Sequence, residues 1–114
     1  MKKIIIDFQK GKGLIPAIIQ DNKTGVVLML GYMNSIAFEK TKKTGLVNFW
    51  SRSRKKLWLK GEESGNKFEV ITITADCDFD TILIKIKLIG KAACHTGNYS
   101  CFFNQINKEN YDIR

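Results

Sequence analysis

Three carboxylates stand at alternate positions in Asp76-Cys77-Asp78-Phe79-Asp80, with a thiol between the first two. Turns that join strands favour Asp. Three like charges this close nevertheless repel one another, and a bound cation relieves that cost. On a straight strand alternate residues lie about 6.6 Å apart, which would set Asp76 and Asp80 about 13 Å apart, too far for one ion. The chain is therefore expected to bend here, between two strands. An EF-hand loop is excluded, because its sixth and twelfth positions would hold Thr81 and Lys87 instead of Gly and Glu. Hard oxygen donors of this kind favour Mg²⁺ with several of its waters retained.

The thiols are the second group able to do chemistry. Cys77, Cys94 and Cys101 lack the close Cys pairs of zinc fingers, and buried apolar thiols are the simpler reading. Their company argues otherwise. Cys77 sits inside the acidic segment, while Cys94 and Cys101 bracket the polar stretch His95-Thr96-Gly97-Asn98-Tyr99-Ser100. Catalytic zinc takes three protein ligands and keeps a fourth position open. Neighbouring side chains rarely reach one ion together, so His95, the sole histidine, is left free as an acid/base group.

A third group is basic and glycine-rich: Trp50-Ser51-Arg52-Ser53-Arg54, then Leu57-Trp58-Leu59-Lys60-Gly61-Glu62-Glu63-Ser64-Gly65-Asn66. Arginine forks, hydroxyls and glycine amides suit phosphate, and Trp50 or Trp58 can stack on a base. A solvated surface hairpin would have the same composition.

Composition bounds what these residues can belong to. The chain has 114 residues and a formal net charge of +8, carried mostly by Lys. That length suits one domain across 1–114, with a polar tail from about 105, and is far short of the roughly 250 residues of an α/β barrel. One histidine excludes a His-rich metal site. No stretch approaches the roughly 20 apolar residues of a membrane span, and the start reaches Asp7 after only three apolar residues, too few for a signal-peptide core. A reducing, cytoplasmic setting is expected, where an odd cysteine count means free thiols or metal ligands. The positive charge fits a phosphorylated small substrate, nucleic acid, or plain solubility.

The elements that must position these groups read as follows. Residues 14–20 form a strand, placed at a sheet edge by Pro16. Residues 21–25 turn, and 26–33 return as the second strand of a hairpin. Asn34 or Ser35 caps a helix over 36–44, with Ile36, Ala37 and Phe38 facing inward, and Gly45 ends it. Strands follow at 46–50, 57–59, 68–74 and 82–88, with a last short one at 101–103. The sum is an α+β, mainly β domain with one clear helix.

Taken together, these segments resemble the phosphoribosyl-AMP cyclohydrolase family of histidine biosynthesis. The likeness runs from about residue 14 to 103. It is carried by Leu14-Ile15-Pro16-Ala17-Ile18-Ile19-Gln20-Asp21, Gly31-Tyr32-Met33-Asn34, Phe49-Trp50-Ser51-Arg52-Ser53-Arg54, Leu57 through Asn66, Asp76 through Asp80, and Ala93-Cys94-His95-Thr96-Gly97-Asn98-Tyr99-Ser100-Cys101-Phe102. The resemblance implies a hydrolase that opens the adenine ring of 1-(5-phosphoribosyl)-AMP at the N1–C6 bond. It implies Zn²⁺ on Cys77, Cys94 and Cys101, with Cys77 from one chain and the other two from its partner in an intertwined, zinc-bridged homodimer. It implies Mg²⁺ on Asp76, Asp78 and Asp80, and a catalytic His95. Substrate contacts are expected from Trp50, Ser51, Arg52, Ser53, Arg54, Lys60, Gly61, Glu62, Ser64 and Gly65, with Arg52, Arg54 and Lys60 on the two phosphates. Glu63 and Phe68 depart from the usual family pattern, which has Thr and Gln there. No fused pyrophosphohydrolase domain, membrane or nucleic-acid partner is expected. The competing reading is a zinc-stabilised RNA-binding module. It leaves the acidic cluster unexplained, because carboxylates repel a phosphate backbone.

Overall fold

A computed structural model describes residues 3–114. Six strands and one helix follow in the order β1 (Ile15–Asp21), β2 (Val27–Met33), α1 (Ser35–Thr44), β3 (Asn48–Ser51), β4 (Lys56–Leu59), β5 (Lys67–Ala75) and β6 (Ile82–Ile89). The result is mainly β with one helix, as the patterning indicates.

Alternation decides which face each strand buries. Ile15, Ala17 and Ile19 of β1 and Ile82, Ile84 and Ile86 of β6 point to one side and are fully or almost fully buried. Each of these isoleucines contributes about 1.5–3 kcal/mol on leaving water. These two strands pair in parallel through Ala17↔Ile82 to Asp21↔Ile86. They form the centre of a four-stranded sheet in the order β2-β1-β6-β5, whose other pairings are antiparallel. The expected edge position of β1 is therefore wrong. Pro16 is tolerated because the β6 ladder begins only at Ala17, so the missing N–H falls before it.

A second, two-stranded sheet pairs β3 with β4. Phe49 of β3 is buried against the first sheet's core. The Phe49 ring also leaves no room for a side chain at Gly31, where an added Cβ would lie 2.5 Å from it.

Helix α1 begins where Asn34 accepts a hydrogen bond from the Ala37 N–H at 2.8 Å. It ends at Gly45, which adopts the left-handed conformation and donates to the Thr41 carbonyl. Its inner face is narrower than expected: Ala37 and Thr41 are buried, whereas Ile36 is exposed. Phe38 packs edge-on against Phe8. No strand forms at 101–103. There Cys101 N–H donates to the Leu28 carbonyl at 2.7 Å, so the segment runs beside β2 without extending the sheet. The expected polar tail is irregular and exposed, and it carries exposed Ile106, Tyr111 and Ile113.

Candidate active site

The loop after β6 brings two of the three thiols together. Ala93 N–H donates to the Tyr99 carbonyl and Cys94 N–H to that of Asn98, both at 3.1 Å. Gly97 N–H closes the turn on the Cys94 carbonyl. This narrow loop folds Cys101 back against Cys94. The Thr96 hydroxyl donates to Cys94 Sγ at 3.0 Å and is the main reason this thiol is more acidic than usual. Burial is the main reason Cys101 is less acidic than usual, followed by its hydrogen bond with Cys94. Cys77 is exposed in the β5–β6 turn. It joins no cluster of three ligating groups with Cys94 and Cys101 among the described residues.

A network far apart in sequence fixes this loop to the hairpin. The Tyr99 hydroxyl makes a short hydrogen bond to Asp21 Oδ2 and pairs with the Thr24 hydroxyl at 2.7 Å. Asp21 is buried, and the Tyr99 hydroxyl holds its carboxyl below the usual range. Burial, then the anionic partner, pushes Tyr99 up. Ser100 Oγ adds a bond to the Val27 carbonyl. Asp21 and Tyr99 read in the sequence only as turn and loop residues.

A cavity of about 470 Å³ opens over Cys94 and His95, within the usual size of small-molecule sites. The β3–β4 hairpin and the loop after β4 supply its walls: Ser51, Arg54, Trp58, Lys60, Gly61 and Glu62, with Glu63, Ser64 and Asn66 beyond. Gly61 makes the loop possible. Its φ is +85°, and a Cβ there would lie 2.3 Å from the Asn66 carbonyl oxygen. Gly65 lies in this loop without lining the cavity.

The expected substrate residues do not all meet in this cavity. Trp50, Arg52 and Ser53 line a second cleft of about 600 Å³ on the other side of the hairpin. There the Arg52 guanidinium lies 4.0 Å over the Tyr32 ring. Ser51 and Trp58 border both spaces. Lys60 also differs from expectation. It is only 7% exposed, and its ammonium donates to the Ala93 carbonyl at 2.6 Å instead of standing free for a phosphate.

The acidic segment bends as its spacing demands. Asp76 N–H donates to the Thr81 carbonyl, and Asp76 Oδ1 accepts from the N–H groups of Asp80 and Thr81 at 3.1 and 3.2 Å. One carboxylate oxygen from each of Asp76, Asp78 and Asp80 then lies within 4.8 Å of the others, a span that suits one divalent cation. Lys10 Nζ donates to Asp78 Oδ2 at 3.3 Å and lies 3.8 Å from Asp80. The hydrogen bond with Asp80, then that with Lys10, lowers the Asp78 pKa, while the bond with Asp78 raises that of Asp80.

The family described as phosphoribosyl-AMP cyclohydrolase matches residues 29–103. The chain belongs to the phosphoribosyl-AMP cyclohydrolase family. Similar proteins under that description come from Desulfatibacillum aliphaticivorans (58% identical over 99 residues, 87% of this chain and 79% of the relative) and Solibacter usitatus (51% over 108 residues, 95% and 86%). A third, from Streptococcus thermophilus, is 50% identical over 112 residues, 98% of this chain and 99% of its own. As a phosphoribosyl-AMP cyclohydrolase family member the chain is an enzyme of the hydrolase class. Both structural clusters, the paired thiols beside His95 and the aspartate trio, are built from segments inside the matched region.

Proposed function

We propose that the protein hydrolyses 1-(5-phosphoribosyl)-AMP, opening the adenine ring between N1 and C6, as a zinc-dependent enzyme of the cytoplasm. The observation that carries this reading is the placement of Cys94 and His95 on the rim of one small-molecule cavity in a chain of this family. No described helix is long and apolar enough to cross a membrane.

The donor chemistry fits zinc. Soft thiol ligands select it, and Cys94 and Cys101 already lie together, with the Thr96 hydroxyl lowering the Cys94 pKa. Cys77 of a second copy would complete the set, since the same chain's Cys77 sits elsewhere. When bound, zinc acts as a Lewis acid that lowers the pKa of a coordinated water toward neutrality. The hard carboxylate oxygens of Asp76, Asp78 and Asp80 fit Mg²⁺, which supplies charge neutralisation for phosphate.

The chain's own residues then divide the remaining work. His95, exposed at the cavity and next to Cys94, accepts the proton of the attacking water and returns it to N1 as the C6–N1 bond breaks. Trp58 offers a face for the purine, and Arg54 with the Ser51 and Ser64 hydroxyls receives phosphate oxygens. Glu63 lines the same cavity and adds a negative charge near that path. Arg52 reaches a phosphate only from the neighbouring cleft.

The test is direct. Protein loaded with zinc and magnesium is incubated with phosphoribosyl-AMP, and the ultraviolet absorbance is followed as the ring opens. Turnover abolished by chelation and restored by zinc is the expected result. Tight, salt-sensitive RNA binding without turnover would overturn the reading in favour of the binding module.

A further inference from the structure

Among the described residues, Lys60 is a buried cation with no carboxylate to pair with. Its residue is 7% exposed, and among the described residues the ion pairs involve Lys10, not Lys60. Its backbone N–H is anchored on the Val47 carbonyl. Its ammonium lies 5.6 Å from the Trp58 ring and 5.4 Å from the Phe68 ring. It makes one hydrogen bond, to the carbonyl of Ala93, the residue before Cys94. A buried ammonium is costly unless a negative charge compensates it. Burial is the largest influence on this ammonium and lowers its pKa; Cys101 and Cys94, the neighbouring groups able to become negative, act in the opposite direction, and Cys94 lines the same cavity as Lys60.

We infer that Lys60 is a positioning residue for the metal-bearing thiolates: its ammonium supplies their counter-charge, and its bond to the Ala93 carbonyl holds the loop that carries Cys94. The inference rests on the proposed zinc site. Loading that site converts three thiols into three thiolates, releases three protons to solvent and leaves a centre of net charge −1 once Zn²⁺ is counted. A fixed positive charge nearby favours the loaded form. It also offsets the weakening of zinc as a Lewis acid by three thiolate donors. The Trp58 and Phe68 rings exclude water around the ammonium, which keeps the electrostatic interaction strong. Phe68 thus forms one wall of the Lys60 pocket.

Lys60→Gln removes the charge and retains a donor for the Ala93 carbonyl. Zinc affinity is measured on the full chain by competition with a chromophoric chelator. The cobalt-loaded forms are compared through their thiolate-to-metal charge-transfer bands. We expect zinc to bind about tenfold more weakly in the variant and the cobalt band to move to longer wavelength, because uncompensated thiolates donate more readily. Lys60→Met, which keeps the apolar stem packed, serves the same comparison should the Gln variant fail to fold, and should weaken zinc further through loss of the loop bond. A folded variant with unchanged zinc affinity and an unchanged cobalt band overturns the inference, including the case in which only KM for substrate rises. Failure of the underlying zinc reading is distinguishable: Cys94→Ser would then bind zinc as tightly as the unsubstituted chain.

Discussion

In the proposed reaction His95 moves a proton, while the Asp21–Tyr99 pair holds the cysteine loop. General acid–base catalysis contributes about 10²–10⁴-fold, so His95→Ala should lower kcat by that factor while leaving zinc content at its normal level, measured on the same preparation. Tyr99→Phe acts differently, through stability of the cysteine loop. It removes a hydrogen bond to a buried carboxylate and should cost about 1–2 kcal/mol in denaturant unfolding. Because the folded-state pKa of Asp21 is lowered, this contribution is fully present above about pH 4, the unfolded carboxylate value. It is lost as pH falls through the lower folded value. The unfolding free energies of the two proteins should therefore converge in acid and stay apart at neutral pH. Lys10 marks a third role. Its ammonium occupies part of the space between Asp78 and Asp80, where a dication would be repelled by it. Lys10→Met should tighten Mn²⁺ binding several-fold, read by calorimetry, with the gain shrinking as salt screens the charge.

At the scale of elements, local rules were legible and contacts distant in sequence were not. The acidic turn could be read because carboxylates on alternate residues cannot share an ion unless the chain bends, and Asp76 closes that bend. The α1 caps at Asn34 and Gly45 followed from the same kind of local chemistry. Pro16 misled because its lost donor matters only where a neighbouring ladder needs it, and β6 starts pairing one residue later. Parallel pairing of β1 with β6 joins strands from opposite ends of the chain, which no local pattern encodes. The same blindness hid the burial of Lys60, whose partner at Ala93 lies across the fold, and the separation of Arg52 from Arg54 into two clefts. The loop after β4 depends on Gly61, where both φ and space forbid a side chain. Gly61→Ala should destabilise the fold by about 2 kcal/mol or more in denaturant titration, and should depress activity beyond the loss of folded protein because Glu62 and Ser64 would shift.

At the scale of the whole molecule, the proposed shared site makes an assembly prediction. Its radius of gyration is 14.8 Å, against about 13 Å for a compact chain of this length, and its longest extent is 46 Å. Exposed apolar residues include Leu30 on β2, Ile71 on β5 and Ile89 on β6, with Phe102, Phe103 and Ile106 in the segment after Cys101. Single exposed apolar residues are ordinary; under the proposed zinc site, those after Cys101 lie next to the position a partner's Cys77 would reach. In a twofold dimer each site would draw Cys94 and Cys101 from one protomer and Cys77 from its partner, giving two equivalent sites. Complementation separates this arrangement from one built within a chain. Cys77→Ser and Cys94→Ser chains are each expected to be inactive and to lack tightly bound zinc. Refolded together from denaturant in equal amounts, random pairing makes about half the dimers mixed. Each mixed dimer has one site with neither defect and one with both, so about a quarter of the sites should recover zinc and activity. A site assembled within one chain predicts no recovery at any mixing ratio, and light scattering on the mixture establishes that dimers formed.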